Sequence, residues 1–380
     1  MRFADSEDTR YSFDFWILAP VLLLLMAGIV LVFSSSFYWA QRKGFNLGPY
    51  HYLIAHTLRV GIGIAALIIA YFIPLKILKR FSGQLHLLAL ASLFMVFLVG
   101  HASHGARRWI SLASSFSFQP SEIAKFTLII YLSGYFAQWT RKIKEFRKGF
   151  VVPFAATGLT ATLVAIQPDF STSLLIFALG ISIMFYAGVK IRYLFLTGLV
   201  LAVFSAGMYM KVPHVRKRVK SYLGERENYQ VTQARIGIAE GKLIGSGIGR
   251  GKEKFLYLPF PHTDFIYAVV AEETGFIGAS IVLLLFMVLA ARGFRTAALL
   301  ADEPFSSYLA FGLTLMITLY ALAHMGVVLG LLPTTGLPLP FVSYGGSALL
   351  FNLAAVGLLL RLSTEAKKRE TRILRWKLNL

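Results

Sequence analysis

The sequence predicts an all-α polytopic membrane protein: ten transmembrane helices with a large extracytoplasmic loop between the seventh and the eighth. Three observations predict it. Of 380 residues, 57% are hydrophobic and only 15% charged, with a mean hydropathy of +0.66. A soluble core cannot hide that much apolar surface, so lipid is the solvent for most of the chain. The apolar runs are continuous over about 20 residues rather than alternating over about ten, which suits helices and not a barrel. The cations, which give a net charge of +20, fall between the runs except for Arg59 and Lys125. That placement argues for membrane lipids, and no nucleic acid, as the partner of the charge. With no cysteine there is no disulfide, thiolate-held metal or thiol nucleophile.

In order, the expected spans are 15–33, 53–74, 84–100, 122–139, 150–167, 172–189, 191–210, 264–291, 305–330 and 346–361. The first follows a short acidic start, MRFADSEDTRYSFD, which lacks a basic n-region and a small-residue cleavage site. It reads as an uncleaved span. The fifth and sixth nearly touch at Pro168, and the sixth and seventh at Lys190. Residues 211–262 form a long, polar, basic, Gly-rich stretch between spans seven and eight. Pro333, Gly336, Pro338 and Pro340 forbid regular helix, so PTTGLPLPFVSYGGS becomes a rigid re-entrant or turn segment before the last span.

Orientation follows from the cations. Arg2 and Arg10, Lys76 to Arg80, Arg141 to Lys148, Lys190 and Arg192, Arg292 and Arg295, and the run from Arg361 to Lys377 fall on one side. The short segments on the other side hold only Arg42, Lys43, Arg107 and Arg108; the long 211–262 stretch is the basic exception. Positive charge stays inside, so both termini are expected in the cytoplasm. The chain then reads as one transmembrane domain over 1–380. It has a cytoplasmic N-terminus at 1–14, the outer loop 211–262, and a basic tail at 362–380 attracted to anionic headgroups.

Ionisable groups near hydrocarbon are functional candidates, because each is costly unless paired or hydrated. Glu122 and Lys125, in FQPSEIAKF, share a helix face at spacing three. They form either a structural ion pair or part of a groove lining. Asp169, in AIQPDFSTS, sits where a helix cap is expected. Arg59 either snorkels outward or reaches into a cavity.

Asp264 is different. In LPFPHTDFIYAVVAEETGF it stands where the polar stretch meets a long apolar span, the expected mouth of an outward-facing cavity. A half-desolvated carboxylate there can take a proton near neutral pH. Glu272 is eight residues on, roughly 12 Å along a helix at 1.5 Å per residue. That is too far for a hydrolase pair unless Gly275 or Gly278 breaks the helix. A single base suits a reaction whose leaving group is already good, such as a sugar leaving a lipid diphosphate held by cations. Arg107, Arg108 and the cluster Arg216, Lys217, Arg218 and Lys220 are the cations at hand, although a solvated charge run explains most of the cluster equally. Ser343 and Tyr344 either offer hydroxyls to a substrate or belong to a turn. His101 and His104 have no carboxylate nearby in sequence to complete a metal site.

Four ordered stretches, GARRWISL with FQPSEIAK, IQPD, LPFPHTDFIYAVVAEETGF and LPTTGLPLPFVSYGGS, resemble the SEDS (shape, elongation, division and sporulation) family, which includes RodA and FtsW. GLPLPFVSYGGSALL and Tyr320 look more like the RodA branch than the FtsW branch. The resemblance implies a peptidoglycan glycosyltransferase. It would polymerise lipid II outside the bacterial cytoplasmic membrane for cell elongation, beside a class B penicillin-binding protein that crosslinks the strands. A division-type polymerase or a lipid II flippase would be the alternatives. The family's essential carboxylate falls on Asp264, with Arg108, Glu122, Lys125, Asp169, Arg218 and Gln233 as supporting positions. A divalent cation on the diphosphate is the one cofactor left open. The chain departs from the family pattern at Ser171, Glu240, Lys242 and Ser246, and His324 stands where the family has Asn.

Overall fold

The computed structural model describes residues 13–43, 48–99, 101–103, 106–113, 116–212, 215–216, 220, 222, 229–252, 255 and 257–377. Each expected span falls on a helix: α1 (Phe15–Lys43), α2 (His51–Phe72), α4 (Ser82–Val99), α5 (Pro120–Gln138), α6 (Val152–Ile166), α7 (Phe170–Tyr186), α8 (Ile191–Lys211), α10 (Ile266–Leu299), α11 (Pro304–Val328) and α12 (Ser347–Lys377). Two more helices, α3 (Leu75–Arg80) and α9 (Tyr229–Gly241), lie between spans. Seven helices among the described residues are long and apolar enough to cross a membrane. The exposed large side chains of the bundle are the apolar ones of its outer faces, such as Leu58, Leu88, Leu98 and Phe195. This is a multi-pass membrane protein.

Local sequence sets the ends. Pro120 and Pro304 occupy first-turn positions, where the missing N–H is harmless. Asp169 caps α7 by accepting from the Thr172 N–H at 3.3 Å. Pro74 forces Ile73 into extended backbone and ends α2. Within lipid there is no hydrophobic drive between helices, so close packing through small residues does the work. Gly357 of α12 is one such point: a Cβ there would lie 2.2 Å from the Leu67 carbonyl of α2.

Three expectations need correction. The chain is not wholly helical: GARRWISL is a strand, β2 (Ala106–Ala113), between β1 (His101–Ser103) and β3 (Phe116–Phe118), both antiparallel to it. Its β-branched and aromatic residues are short of a helical period, and hairpin pairing satisfies the backbone. The basic tail is not a free strand of charge. Helix α12 continues through it, burying Leu362, Ser363, Thr364 and Ala366. Arg369 pairs with Asp302 at 3.8 Å and with Glu303, and Arg295 meets Glu370 at 2.9 Å. At the other terminus Asp14 pairs with Arg292 at 2.5 Å and its N–H donates to Ser363 Oγ at 3.0 Å. Both ends of the chain are therefore clasped at one end of the bundle, beside the α10–α11 turn.

The third correction concerns the eighth span, which is not one rod. Gly275, with φ 70° and ψ −168°, breaks α10. The turn after α9 fills the break: Phe276 and Ile277 N–H groups donate to the Lys242 and Leu243 carbonyls at 2.8 and 3.2 Å. The Gly247 N–H donates to the Glu273 carbonyl at 3.0 Å. Part of the polar 211–262 stretch thus replaces helix hydrogen bonds inside α10. A Cβ at Gly275 would sit 2.4 Å from the Gly245 nitrogen and from the Leu243 carbonyl oxygen, and its φ strains any L side chain. Gly275→Ala is expected to cost at least about 1–3 kcal/mol and to free residues 242–247 for proteolysis. Parallel unfolding and limited-proteolysis measurements check it, and an unchanged digestion pattern would refute the role of the insert.

Candidate functional site

The end of the bundle opposite the clasped termini carries the candidate residues. Two clasps tie the segment before α10 to the Pro-rich segment before α12, and a third bond braces the Pro-rich segment itself. Ser343 Oγ donates to the Thr263 carbonyl at 2.7 Å, the Tyr344 N–H donates to the His262 carbonyl at 2.9 Å, and the Leu339 N–H donates to Ser343 Oγ at 2.8 Å. Asp264, the next residue, is half-buried, with Oδ2 3.5 Å from where a Gly336 Cβ would stand. The φ of 69° at Gly336 favours glycine, and a Cβ there would meet the carboxylate only in ordinary van der Waals contact. The Ser343 hydroxyl is occupied by backbone, so it positions Asp264 in this structure rather than facing a cavity.

Aromatic rings wall the same place. The His262 ring lies 4.7 Å from Tyr52 and 5.7 Å from Tyr344, and Tyr52 meets Tyr344 edge-on at 5.2 Å. Arg59 takes neither of its expected fates alone: its guanidinium lies over the Tyr344 face at 4.3 Å, a cation–π contact near the Asp264 segment. His262 is 5% exposed, and its Nδ1 has no hydrogen-bond partner among the described residues. Burial, with Lys43 nearby, pushes the imidazole down to about 4, from an ordinary 6.5. The ring is therefore neutral when folded and protonates more readily when unfolded. Its contribution is complete above about pH 6.5 and is lost as pH falls towards 4. Stability of the wild type is expected to drop through that window, by up to about 3 kcal/mol more than in His262→Phe. Denaturation at pH 7.5 and pH 4.5 measures the difference, and parallel curves would refute it.

A second polar node lies between α5, α7 and α11. Lys125 Nζ is 2.7 Å from Glu122 Oε2 and 3.8 Å from the Tyr320 ring centroid. Lys125 is 1% exposed and Glu122 4%. Gln119 Nε2 donates to Asp169 Oδ2 at 3.3 Å, joining α5 to the α7 cap. Arg108 reaches from β2 to the Gln167 carbonyl at 3.1 Å and to the Pro168 carbonyl. Arg108 and Asp169 thus meet at the α6–α7 turn, and Glu122 and Lys125 stand on the adjoining helix.

One side chain bridges the two nodes. His324, one turn beyond Tyr320 on α11, has Nδ1 2.7 Å from the Leu337 carbonyl. A carbonyl only accepts, so Nδ1 is the donor and Nε2 carries the lone pair. Leu337 adjoins Gly336, so the residue in place of the family's Asn holds the backbone beside Asp264. Gln233 is half-buried on α9. Arg218 lies outside the described residues. Glu272 and Glu273 are each 1% exposed and serve the break in α10: the Lys252 N–H donates to Glu272 Oε1, and Ser34 Oγ donates to Glu273 Oε1 at 2.6 Å. Reading along the sequence could not place Tyr320, His262 or Gln119 at these nodes. Their partners stand between 50 and about 200 residues away, and short motifs carry no signal of that pairing. Among the described residues, no group of three His, Cys, Asp or Glu gathers to hold a metal ion.

A buried ion pair, a capped helix turn and a carboxylate fixed beside aromatic walls at one end of a membrane bundle define a membrane-embedded polar site. Residues 15–368 match the FtsW/RodA/SpoVE model, described as cell cycle protein. The chain is 36% identical over 373 residues to the probable peptidoglycan glycosyltransferase FtsW of Coxiella burnetii, covering 94% of this chain and 98% of that one. It is 35% identical to stage V sporulation protein E of Bacillus subtilis over 93% of this chain and 98% of the relative. Among solved structures, it is similar to a chain of a peptidoglycan synthase complex coordinating polymerization and crosslinking, with TM-score 0.76, 26% identity, and 93% and 98% of the two chains covered. The rod shape determining protein RodA of Thermus thermophilus gives TM-score 0.68 at 26% identity, over 92% and 96%. The chain belongs to the FtsW/RodA/SpoVE family.

Proposed function

We propose that this chain polymerises lipid II into glycan strands at the outer face of the bacterial cytoplasmic membrane, with Asp264 as the general base. It is a peptidoglycan glycosyltransferase. The observation that carries the mechanism is the carboxylate of Asp264, half-buried beside Gly336 and following two clasped residues, His262 and Thr263. The acceptor sugar 4-hydroxyl gives its proton to Asp264 as its oxygen forms the new bond to the anomeric carbon. The bond from that carbon to the diphosphate breaks, and undecaprenyl diphosphate leaves with the electron pair. Its charge is already stabilised as a diphosphate, so no general acid is required; cations suffice. Arg59, over Tyr344, and Lys43, near His262, are described cations beside the Asp264 segment. A divalent cation would come with the diphosphate.

The exposed apolar face of α2, with Ile54, Leu58 and Ile62, rises from the Tyr52 cluster and offers the polyprenyl chain a path in lipid. Arg108, Glu122, Lys125, Asp169, Arg218 and Gln233 are the supporting substrate positions of this reading, and Ser343 acts through Thr263. Ten spans with both termini inside place Asp264 outside, which the distribution of cations supports. The crosslinking partner is a class B penicillin-binding transpeptidase, as the likeness to a peptidoglycan synthase complex supports.

Elongation is the role favoured by GLPLPFVSYGGSALL and Tyr320. Division is the second reading, because relatives at 36% identity carry the FtsW name. Purified chain, with and without the transpeptidase, should convert lipid II to glycan strands. Failure under both conditions, with movement of labelled lipid II across proteoliposomes instead, would replace the polymerase by a flippase. Rescue of a rod-shape mutant and not of a division mutant would settle the branch.

A further inference from the structure

The end of the bundle holding the termini has a cavity of its own. It lies between α3, the start of α4 and the end of α5, and holds about 560 Å³. Lys76, Lys79 and Arg80 line one side, Tyr131 and Gln138 the other. None of the three cations has a carboxylate partner in the ion pairs of the described residues. Elsewhere at this end, Arg292, Arg295, Arg361 and Arg369 are all paired with carboxylates.

The corner is built to stay open. Ser82 Oγ donates to the Lys79 carbonyl at 2.9 Å, which fixes the turn carrying the cations onto the first residue of α4. Gly134 lets α5 press on that corner, since a Cβ there would meet Ser82 Oγ at 2.5 Å. Gly83, which also lines the cavity, has no atom within 4 Å of where its Cβ would be. Directly along α4, Leu87 and Leu88 are 66% and 68% exposed, and Ile77 and Phe81 flank the mouth. A charged recess thus opens onto a lipid-facing apolar surface.

We propose that this cavity binds the phosphate-bearing headgroup of an anionic phospholipid, whose acyl chains lie along the exposed face of α4. Unpaired cations call for an anion, and desolvation beside the Tyr131 ring strengthens their attraction over that of cations in open water. The adjoining apolar face selects a lipid over a soluble phosphate. The site is independent of the catalytic reading, because it stands at the opposite end of the bundle.

The test uses the full chain in phosphatidylcholine nanodiscs carrying a trace of phosphatidylglycerol with a photoreactive acyl chain. Crosslinks should map to Ser82–Val99, and unlabelled phosphatidylglycerol should compete. Lys76→Gln, Lys79→Gln and Arg80→Gln should each lower labelling about fivefold. Gly83→Phe, which fills the cavity without removing any of the cations, should abolish it while melting like the wild type. Lys190→Gln with Arg192→Gln, at the same end but outside the cavity, should leave it unchanged. Equal labelling by a phosphatidylcholine analogue, an effect of the Lys190 and Arg192 changes as large as that of the cavity changes, or indifference to Gly83→Phe would overturn the proposal. Full competition by inorganic phosphate alone would also overturn it, by making the ligand a soluble anion.

Discussion

Asp264→Asn is expected to lower the rate of lipid II polymerisation by about 10²–10⁴-fold while leaving the protein folded. Asn matches the shape of Asp and can keep hydrogen bonds to the same neighbours, but it cannot take a proton from the acceptor hydroxyl. The clasps run through the Thr263 and His262 carbonyls and the Leu337 carbonyl, all backbone atoms on either side of the carboxylate. Unfolding of the variant should therefore superimpose on that of the parent. The assay is gel-resolved glycan from purified protein and lipid II, with and without the transpeptidase. Wild-type rates in the variant would remove Asp264 as base and with it the mechanism. A variant that binds the transpeptidase and supports wall growth at full rate would make the chain a scaffold.

The largest stability effect is expected at the Glu122–Lys125 pair. Lys125→Met removes the partner of a carboxylate that is 4% exposed, and should cost about 3–5 kcal/mol. The loss is that of an uncompensated buried charge rather than of a contact. Glu122→Gln with Lys125→Met should therefore recover most of it, because two neutral side chains of similar size leave no charge stranded. Tyr320 strengthens the expectation, since the ammonium also sits on its ring at 3.8 Å. Chemical unfolding of the two single variants and the double variant closes the cycle. Additive losses would mean that the two side chains act separately, and the pair would then have no structural role.

Much of the architecture is legible in the sequence because lipid imposes it. A backbone that must satisfy itself in hydrocarbon can only be helical, so continuous apolar runs give the helices and their order. Pro120, Pro304 and Asp169 mark ends through rules that act within one turn. The pairing of β2 is not legible in the sequence, because a three-residue strand on either side carries too little pattern to announce it. The ion pairs of Arg369 are not legible in the sequence, because its partners Asp302 and Glu303 lie more than 60 residues away. The break in α10 was visible only as Gly275, a residue that helices in membranes tolerate. What fills it comes from a separate stretch.

The sequence by itself determined a membrane bundle, the positions of its helices and the carboxylate worth testing, because burial in lipid and local backbone chemistry depend on neighbours along the chain. Tertiary structure alone decided that Ser343 holds Thr263, that His324 holds Leu337, and that Lys125 closes on Glu122 and Tyr320. It also decided that three cations near α4 have no carboxylate among the described residues while Arg361 and Arg369 of the last helix do. Hydrogen bonds and ion pairs between distant segments exist only once helix packing has brought their atoms within about 3 Å, and no spacing along the chain encodes that distance.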